Sequence, residues 1–295
     1  MFGVRNMIDK IKKDVLNKPI KSCLCIFCVC LVFRIIEYLL LKTDETIISE
    51  NFIHKIIGIL ILFWILKITN YKFADIGFSK KRIVKQLLCG IGLGVICFFI
   101  AYTVEYIVLL SAGKTPQLSI FAKGFSISGN ETKHTELIFF ILCIVFNIIN
   151  VIMEEGMFRG LFIKIISNKE TFFKASLIVA LLFGIWHFVM PLRSIINGEM
   201  TIMSALIIMI GYIILSGIMS IKWALLYKMT GSLWIGIGDH LLNNTITNLL
   251  HIVSGTGIDE LQIVRIIFAQ LISFIIVIIL YRKNKKLKCN SLAEK

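Results

Sequence analysis

The chain is built around apolar runs long enough to cross a lipid bilayer, and this limits its fold before any motif is considered. A helical span of the hydrocarbon core takes roughly 20 apolar residues, because a backbone in lipid must satisfy its own hydrogen bonds. Such runs lie at 20–41, 52–68, 84–112, 136–166, 172–190, 201–226, 232–253 and 262–281. With 57% hydrophobic residues, 17% charged and a mean hydropathy of +0.87, no hydrophilic stretch is long enough to bury a core of its own. The expectation is an all-α polytopic membrane protein of about eight transmembrane helices. A single domain would run over 20–281 with its catalytic core at 136–253, between a basic amphipathic segment, 1–19, and a basic tail, 282–295.

The net charge of +14 is carried in loops and termini, without the aromatic interleaving or modules of a nucleic-acid binder; no nucleic-acid partner is expected. Cytoplasmic connections should be rich in Lys and Arg. The N-terminus (Lys10, Lys12, Lys13, Lys18, Lys21) is basic and "KTDETIISENF" acidic, whereas "KITNYKFADIGFSKKRIVK" is basic and 113–135 mixed. "RGLFIKIISNKETFFK" and the surroundings of Lys222 and Lys228 are basic, "SGTGIDE" is acidic and "YRKNKKLK" is basic. Eight crossings fit this alternation with both termini cytoplasmic. Phe2, Val4, Met7, Ile8, Ile11 and Val15 are spaced as one helix face, so an interfacial helix in contact with membrane lipid is expected. The cluster "CLCIFCVC" reads as packing, since one helix cannot converge four thiolates at that spacing; Cys289, beside the basic tail, is a weak palmitoylation candidate.

Polar groups inside the spans are costly and mark function by default. They are Arg34 and Glu37 in the first span; Glu154, Glu155 and Arg159 in "NVIMEEGMFRG"; His187 in "FGIWHF"; and Asp239, His240, Asn243 and Asn244 in "GDHLLNN". Arg34 and Glu37, three apart, either neutralise each other or send Arg34 to another helix. Glu155 and Arg159 are i and i+4 and should pair, while Glu154 points about 100° away and is left for chemistry. Counting from the turn at 168–170, Glu154 and His187 lie at similar depth on antiparallel helices. His240 and Asn244 share a face at i and i+4.

These groups suit hydrolysis. A desolvated Glu154 can act as general base on water, His187 can orient that water, and His240 and Asn244 can donate to a developing oxyanion. A second reading of the same donors is a catalytic zinc held by Glu154, His187 and His240, although no HExxH motif is present. A purely structural network is the alternative for each group taken alone.

In order and spacing, "EEGMFR" (Glu154, Glu155, Arg159), "FGIWH" (Phe183, His187) and "HLLNN" (His240, Asn244) resemble the CAAX-processing and bacteriocin-processing intramembrane endopeptidases, also called the Abi or type II CAAX prenyl endopeptidase family. The resemblance implies peptide-bond hydrolysis in which Glu154 and His187 activate water. His240 and Asn244 would form the oxyanion site, and Glu155 and Arg159 would support the helix. It requires no ligand-held metal. The Ile-, Lys- and Asn-rich usage suggests a bacterial cell membrane and, as substrate, a small hydrophobic peptide, leader or membrane-associated protein. The competing expectation is a non-catalytic membrane binding or bacteriocin self-immunity protein. A transporter is disfavoured by the lack of an internal repeat.

Overall fold

The computed structural model describes residues 2–46, 50–123, 133–255, 257 and 259–293, with side chains described between Lys10 and Lys286. The elements in chain order are α1 (Phe2–Asn17), α2 (Pro19–Ile36), α3 (Ile53–Thr69), α4 (Ile83–Ser111), β1 (Gln117–Ile120), α5 (Leu137–Glu154), α6 (Ile163–Ile166), α7 (Phe172–Trp186), α8 (Val189–Ile196), α9 (Ile202–Thr230), α10 (Trp234–Leu249), β2 (Leu250–Val253) and α11 (Gln262–Ala293). π-Helical turns continue α2 over Glu37–Leu41 and join α5 to α6 over Glu155–Phe162.

This is an all-α polytopic membrane fold. Six helical stretches among the described residues are long and apolar enough to cross a membrane: Pro19–Glu45, Ile83–Ser111, Leu137–Ile166, Phe172–Ile196, Ile202–Thr230 and Gln262–Lys286. The expected count of eight is thus not reached on length and composition. The second and seventh expected spans are helices, but α3 has 17 residues and α10 has 16. At 1.5 Å per residue they extend roughly 24–26 Å, short of a ~30 Å hydrocarbon core. The seventh also ends earlier than its apolar pattern suggests, because residues 250–253 leave the helix as β2 and pair antiparallel with β1, Gln117 opposite Val253 and Ile120 opposite Leu250.

Local sequence accounts for several boundaries. Pro19 opens α2, where its missing N–H would be unpaired anyway. Pro191 has no N–H to offer the carbonyl of His187 and its ring would clash there; α7 stops at Trp186 and the chain restarts as α8. Within "CLCIFCVC", Cys23 and Cys30 are buried while Cys25 and Cys28 are exposed. The four thiols therefore do not share one face of α2.

The chain divides into two compact units, Met1–Lys81 with Ile148–Ile221, and Arg82–Asn147 with Lys222–Lys295. In the first unit α2, α3, the Glu155–Phe162 turns, α6 and α7 pack together around Phe27, Leu62, Phe158, Phe162, Phe183 and Trp186. Of the expected apolar face of α1, Val15 is buried; Phe2, Val4, Met7 and Ile8 lie outside the described side chains, as does Cys289.

In the second unit α4 packs on α10 and on α11. The first contact depends on glycine at two places. A Cβ on Gly90 would collide with the carbonyl oxygen of Ile235, and one on Gly238 with that of Leu87. Beside this seam lies a cluster of Cys97, Phe98, Ala101, Tyr102, Leu109, Ile252 and Ala269.

Candidate active site

The first unit gathers the glutamates, Arg159 and His187. Glu155 and Arg159 form the i, i+4 ion pair that their spacing predicts, Arg159 Nη2 to Glu155 Oε1 at 2.7 Å, with both side chains sealed from solvent. They lie in the π-helical turns Glu155–Phe162. Such turns are rare and recur at functional sites. The Arg159 guanidinium carbon also lies 3.9 Å from the centre of the Phe183 ring, an attraction between cation and aromatic face that strengthens as water is excluded.

Glu154, one residue earlier, faces a different set of groups. The indole N–H of Trp186 donates to its Oε1 at 2.9 Å, and Arg34 Nη1 stands 3.8 Å from the same oxygen. The carboxylate expected to be left over therefore has its own partners. Arg34 takes the second of its two expected options, a partner on another helix; it also stacks on Trp186, with its guanidinium carbon 4.5 Å from the ring centre. Phe27 and Phe158 pack on Trp186 at ring separations of 6.2 and 5.8 Å. Polar contacts to Glu154 are thus made in an apolar surround, where each is worth more than in water.

Glu37, released from Arg34, serves α3. Its Oε1 accepts from the backbone N–H groups of Phe52 and Ile53, each at 2.8 Å, and its Oε2 from that of His54 at 2.6 Å. These are N-terminal donors that have no partner within a helix, and a negative charge there is further favoured by the helix dipole. The His54 Nδ1 lies 2.5 Å from the same Oε2, and its ring is 5.8 Å from Trp186. His54 is a site residue that sequence reasoning missed. Its signal was a polar pair, His54 and Lys55, at the head of the apolar run "HKIIGILILFW".

His187 caps the C-terminus of α7. Its Nδ1 is 2.8 Å from the Phe183 carbonyl, which only accepts, so Nδ1 carries a proton. Tyr212 of α9 lies parallel to the ring at 6.4 Å. Trp186, the residue immediately before His187, bonds Glu154, so α5 and α7 meet in the register inferred from their shared turn.

The second unit holds His240 and Asn244 on α10. The His240 ring stacks on Trp223 at 4.0 Å, 16° from parallel. Trp223 donates its indole N–H to Asp239 Oδ2 at 2.8 Å, and the same oxygen meets Lys222 Nζ at 2.5 Å. Lys222 is fully buried, an ammonium held inside a hydrophobic span by an acid one turn from Asn243. Asn243 donates from Nδ2 to Asn244 Oδ1 at 2.9 Å.

Among the described residues no three His, Cys, Asp or Glu side chains come together as a set that would hold an ion. His187 has one ring nitrogen committed to a backbone carbonyl, and Glu154 has an oxygen engaged by Trp186.

No curated protein and no solved structure matches this chain. The family model described as type II CAAX prenyl endopeptidase Rce1-like matches residues 136–246. That segment includes Glu154, Glu155, Arg159, His187, His240 and Asn244, the residues on which the three motifs rest. Residues 136–246 are thus similar to the Rce1-like type II CAAX prenyl endopeptidases.

Proposed function

We propose that the chain is an intramembrane endopeptidase. Its substrate is a small hydrophobic peptide, leader or membrane-associated protein, and its setting a bacterial cell membrane with both termini cytoplasmic. The observation that carries this reading is the Rce1-like match over a segment holding all three motifs. Also in support, Glu154 is a buried carboxylate positioned by an indole N–H within an apolar surround.

In the reaction, Glu154 takes a proton from water while the water oxygen bonds to the scissile carbonyl carbon. The tetrahedral oxyanion accepts hydrogen bonds from His240 and Asn244, each donor worth a few kcal/mol. Glu154 then returns the proton to the leaving nitrogen as the C–N bond breaks, giving one carboxylic acid and one amine. His187 orients the water. Glu155 and Arg159 hold the helix that carries Glu154. No ligand-held metal is required. Zinc on Glu154, His187 and His240 is the rival ligand set, and elemental analysis of the purified protein decides between them.

Glu154→Ala and His187→Ala are expected to abolish cleavage of reconstituted peptide while the protein elutes and melts as wild type. Full activity of both variants would leave the non-catalytic binding or self-immunity protein as the better reading. Comparing the peptides of a strain lacking the protein with those of its parent identifies the substrate.

A further inference from the structure

Lys222, Gln270 and Asn243 form a relay with a fixed direction. Lys222 Nζ donates to Gln270 Oε1 at 2.6 Å and to Ser273 Oγ at 3.1 Å. Gln270 Nε2 donates to Asn243 Oδ1 at 2.8 Å, and Asn243 Nδ2 donates to Asn244 Oδ1 at 2.9 Å. The side chains of Lys222, Asn243 and Gln270 are buried. The other arm of Lys222 reaches Asp239 at 2.5 Å. Asp239 in turn holds the indole of Trp223, on which His240 is stacked.

An ammonium is a donor only, whereas each amide has one accepting and one donating end. The first residue of the chain therefore sets the orientation of all the others. Because Lys222 can only donate, Gln270 must turn its oxygen to it and its nitrogen to Asn243; Asn243 then presents its nitrogen to Asn244. Asn244 is left with its oxygen occupied and its Nδ2 as the outward group. An Asn turned the other way would present an acceptor, which repels an oxyanion.

We propose that Lys222, Gln270 and Asn243 are positioning residues that fix the Asn244 amide with its nitrogen outward, while Lys222 also anchors His240 through Asp239 and Trp223. This rests on the oxyanion role assigned to His240 and Asn244. It explains why the chain keeps a lysine fully buried in an apolar helix, where an unpaired charge is expensive: the lysine supplies polarity that a neutral residue would leave undefined.

The discriminating variant is Gln270→Glu. A carboxylate beside Lys222 still accepts from the ammonium but cannot donate to Asn243, so Asn243 and then Asn244 turn over. Gln270→Met removes the relay without reversing it. The full chain is reconstituted in proteoliposomes with two internally quenched peptides, one a plain hydrophobic leader and one ending in an S-farnesylated cysteine followed by three residues.

For whichever peptide the wild type cleaves, Gln270→Glu should lower kcat by about 10²–10³, the usual effect of losing one oxyanion donor, with KM changed less than about threefold. Gln270→Met should fall between the two. In parallel, ¹⁵N-asparagine labelling reads the Asn244 side-chain amide directly, its signal assigned by its loss in Asn244→Ala. Gln270→Glu should shift it. An unmoved Asn244 signal, or an unchanged kcat, overturns the relay. A shifted signal in a protein whose wild type cleaves neither peptide supports the relay and removes the peptidase reading instead.

Discussion

The indole N–H of Trp186 donates to Oε1 of Glu154 over 2.9 Å, joining α7 to the last residue of α5 at the point where the helix changes to π-helical turns. A hydrogen bond to a charged group contributes about 1.5–3 kcal/mol. Trp186→Phe keeps most of the ring packing and removes only the donor. The expected result is a fall in kcat of about tenfold or more with KM little changed, measured in proteoliposomes. Wild-type kcat in this variant would show that the indole does not hold the carboxylate in its working position.

Glu155 and Arg159 are a sealed pair, and removing one member takes away the other's ion-pair partner in a site closed to water. Glu155→Leu or Arg159→Met alone should destabilise the protein by about 3–5 kcal/mol, whereas the double replacement should cost clearly less. A double-mutant cycle on detergent-solubilised protein, read by thermal or denaturant melting, checks this. Strictly additive losses would mean that the two charges do not depend on each other.

Gly90→Ala and Gly238→Ala each push a methyl group into a backbone carbonyl across the seam between α4 and α10. Backbone atoms cannot rotate away as a side-chain tip can. Each variant should lose about 1–3 kcal/mol, the usual range for overpacking. Gly113→Ala, where a Cβ meets nothing within 4 Å but φ is +74°, tests backbone strain instead of crowding. If Gly90→Ala melts at the wild-type temperature, the two helices are not held at this distance.

Outside the spans, Asp259 links β2 to α11. Burial alone would raise its pKa from the ordinary 3.8, but hydrogen bonds with His251 and Arg265 outweigh that and lower it; Arg265 Nη2 is 2.5 Å and His251 Nδ1 3.1 Å from its Oδ2. With a depressed folded-state pKa, the stabilisation is present above the unfolded value near 3.8 and is lost as pH falls through the folded value. Asp259→Asn should therefore melt below wild type at neutral pH, and the gap should close on acidification below about pH 4. A gap that is constant down to the acid limit of the fold would contradict the assignment. Arg265 also binds Glu105, so the comparison is best made between Asp259→Asn and wild type at each pH.

Features that follow from local periodicity were legible in the residues alone. Run length predicted the helical membrane fold, and the i, i+4 spacing predicted the Glu155–Arg159 pair, because a helix brings those positions together whatever surrounds it. The order of the three motifs pointed to the segment that matches the Rce1-like family. Pro191 was in plain view as a reason for the fifth run to stop at 190, but α7 ends earlier, at Trp186, because the proline acts on the carbonyl four residues before it.

Which distant groups meet was not legible there and follows from the packing of the helices. Arg34 reaches Glu154 across 120 positions of sequence; Glu37 caps α3 with His54; and Lys222 directs Gln270, Asn243 and Asn244. No local period encodes these contacts, because they depend on which helix faces pack and on the rotation of each helix. The same limit explains the two short helices: hydropathy shows that a run is apolar, but where its backbone leaves the helix, as at Leu250, is decided by the strand that pairs with it.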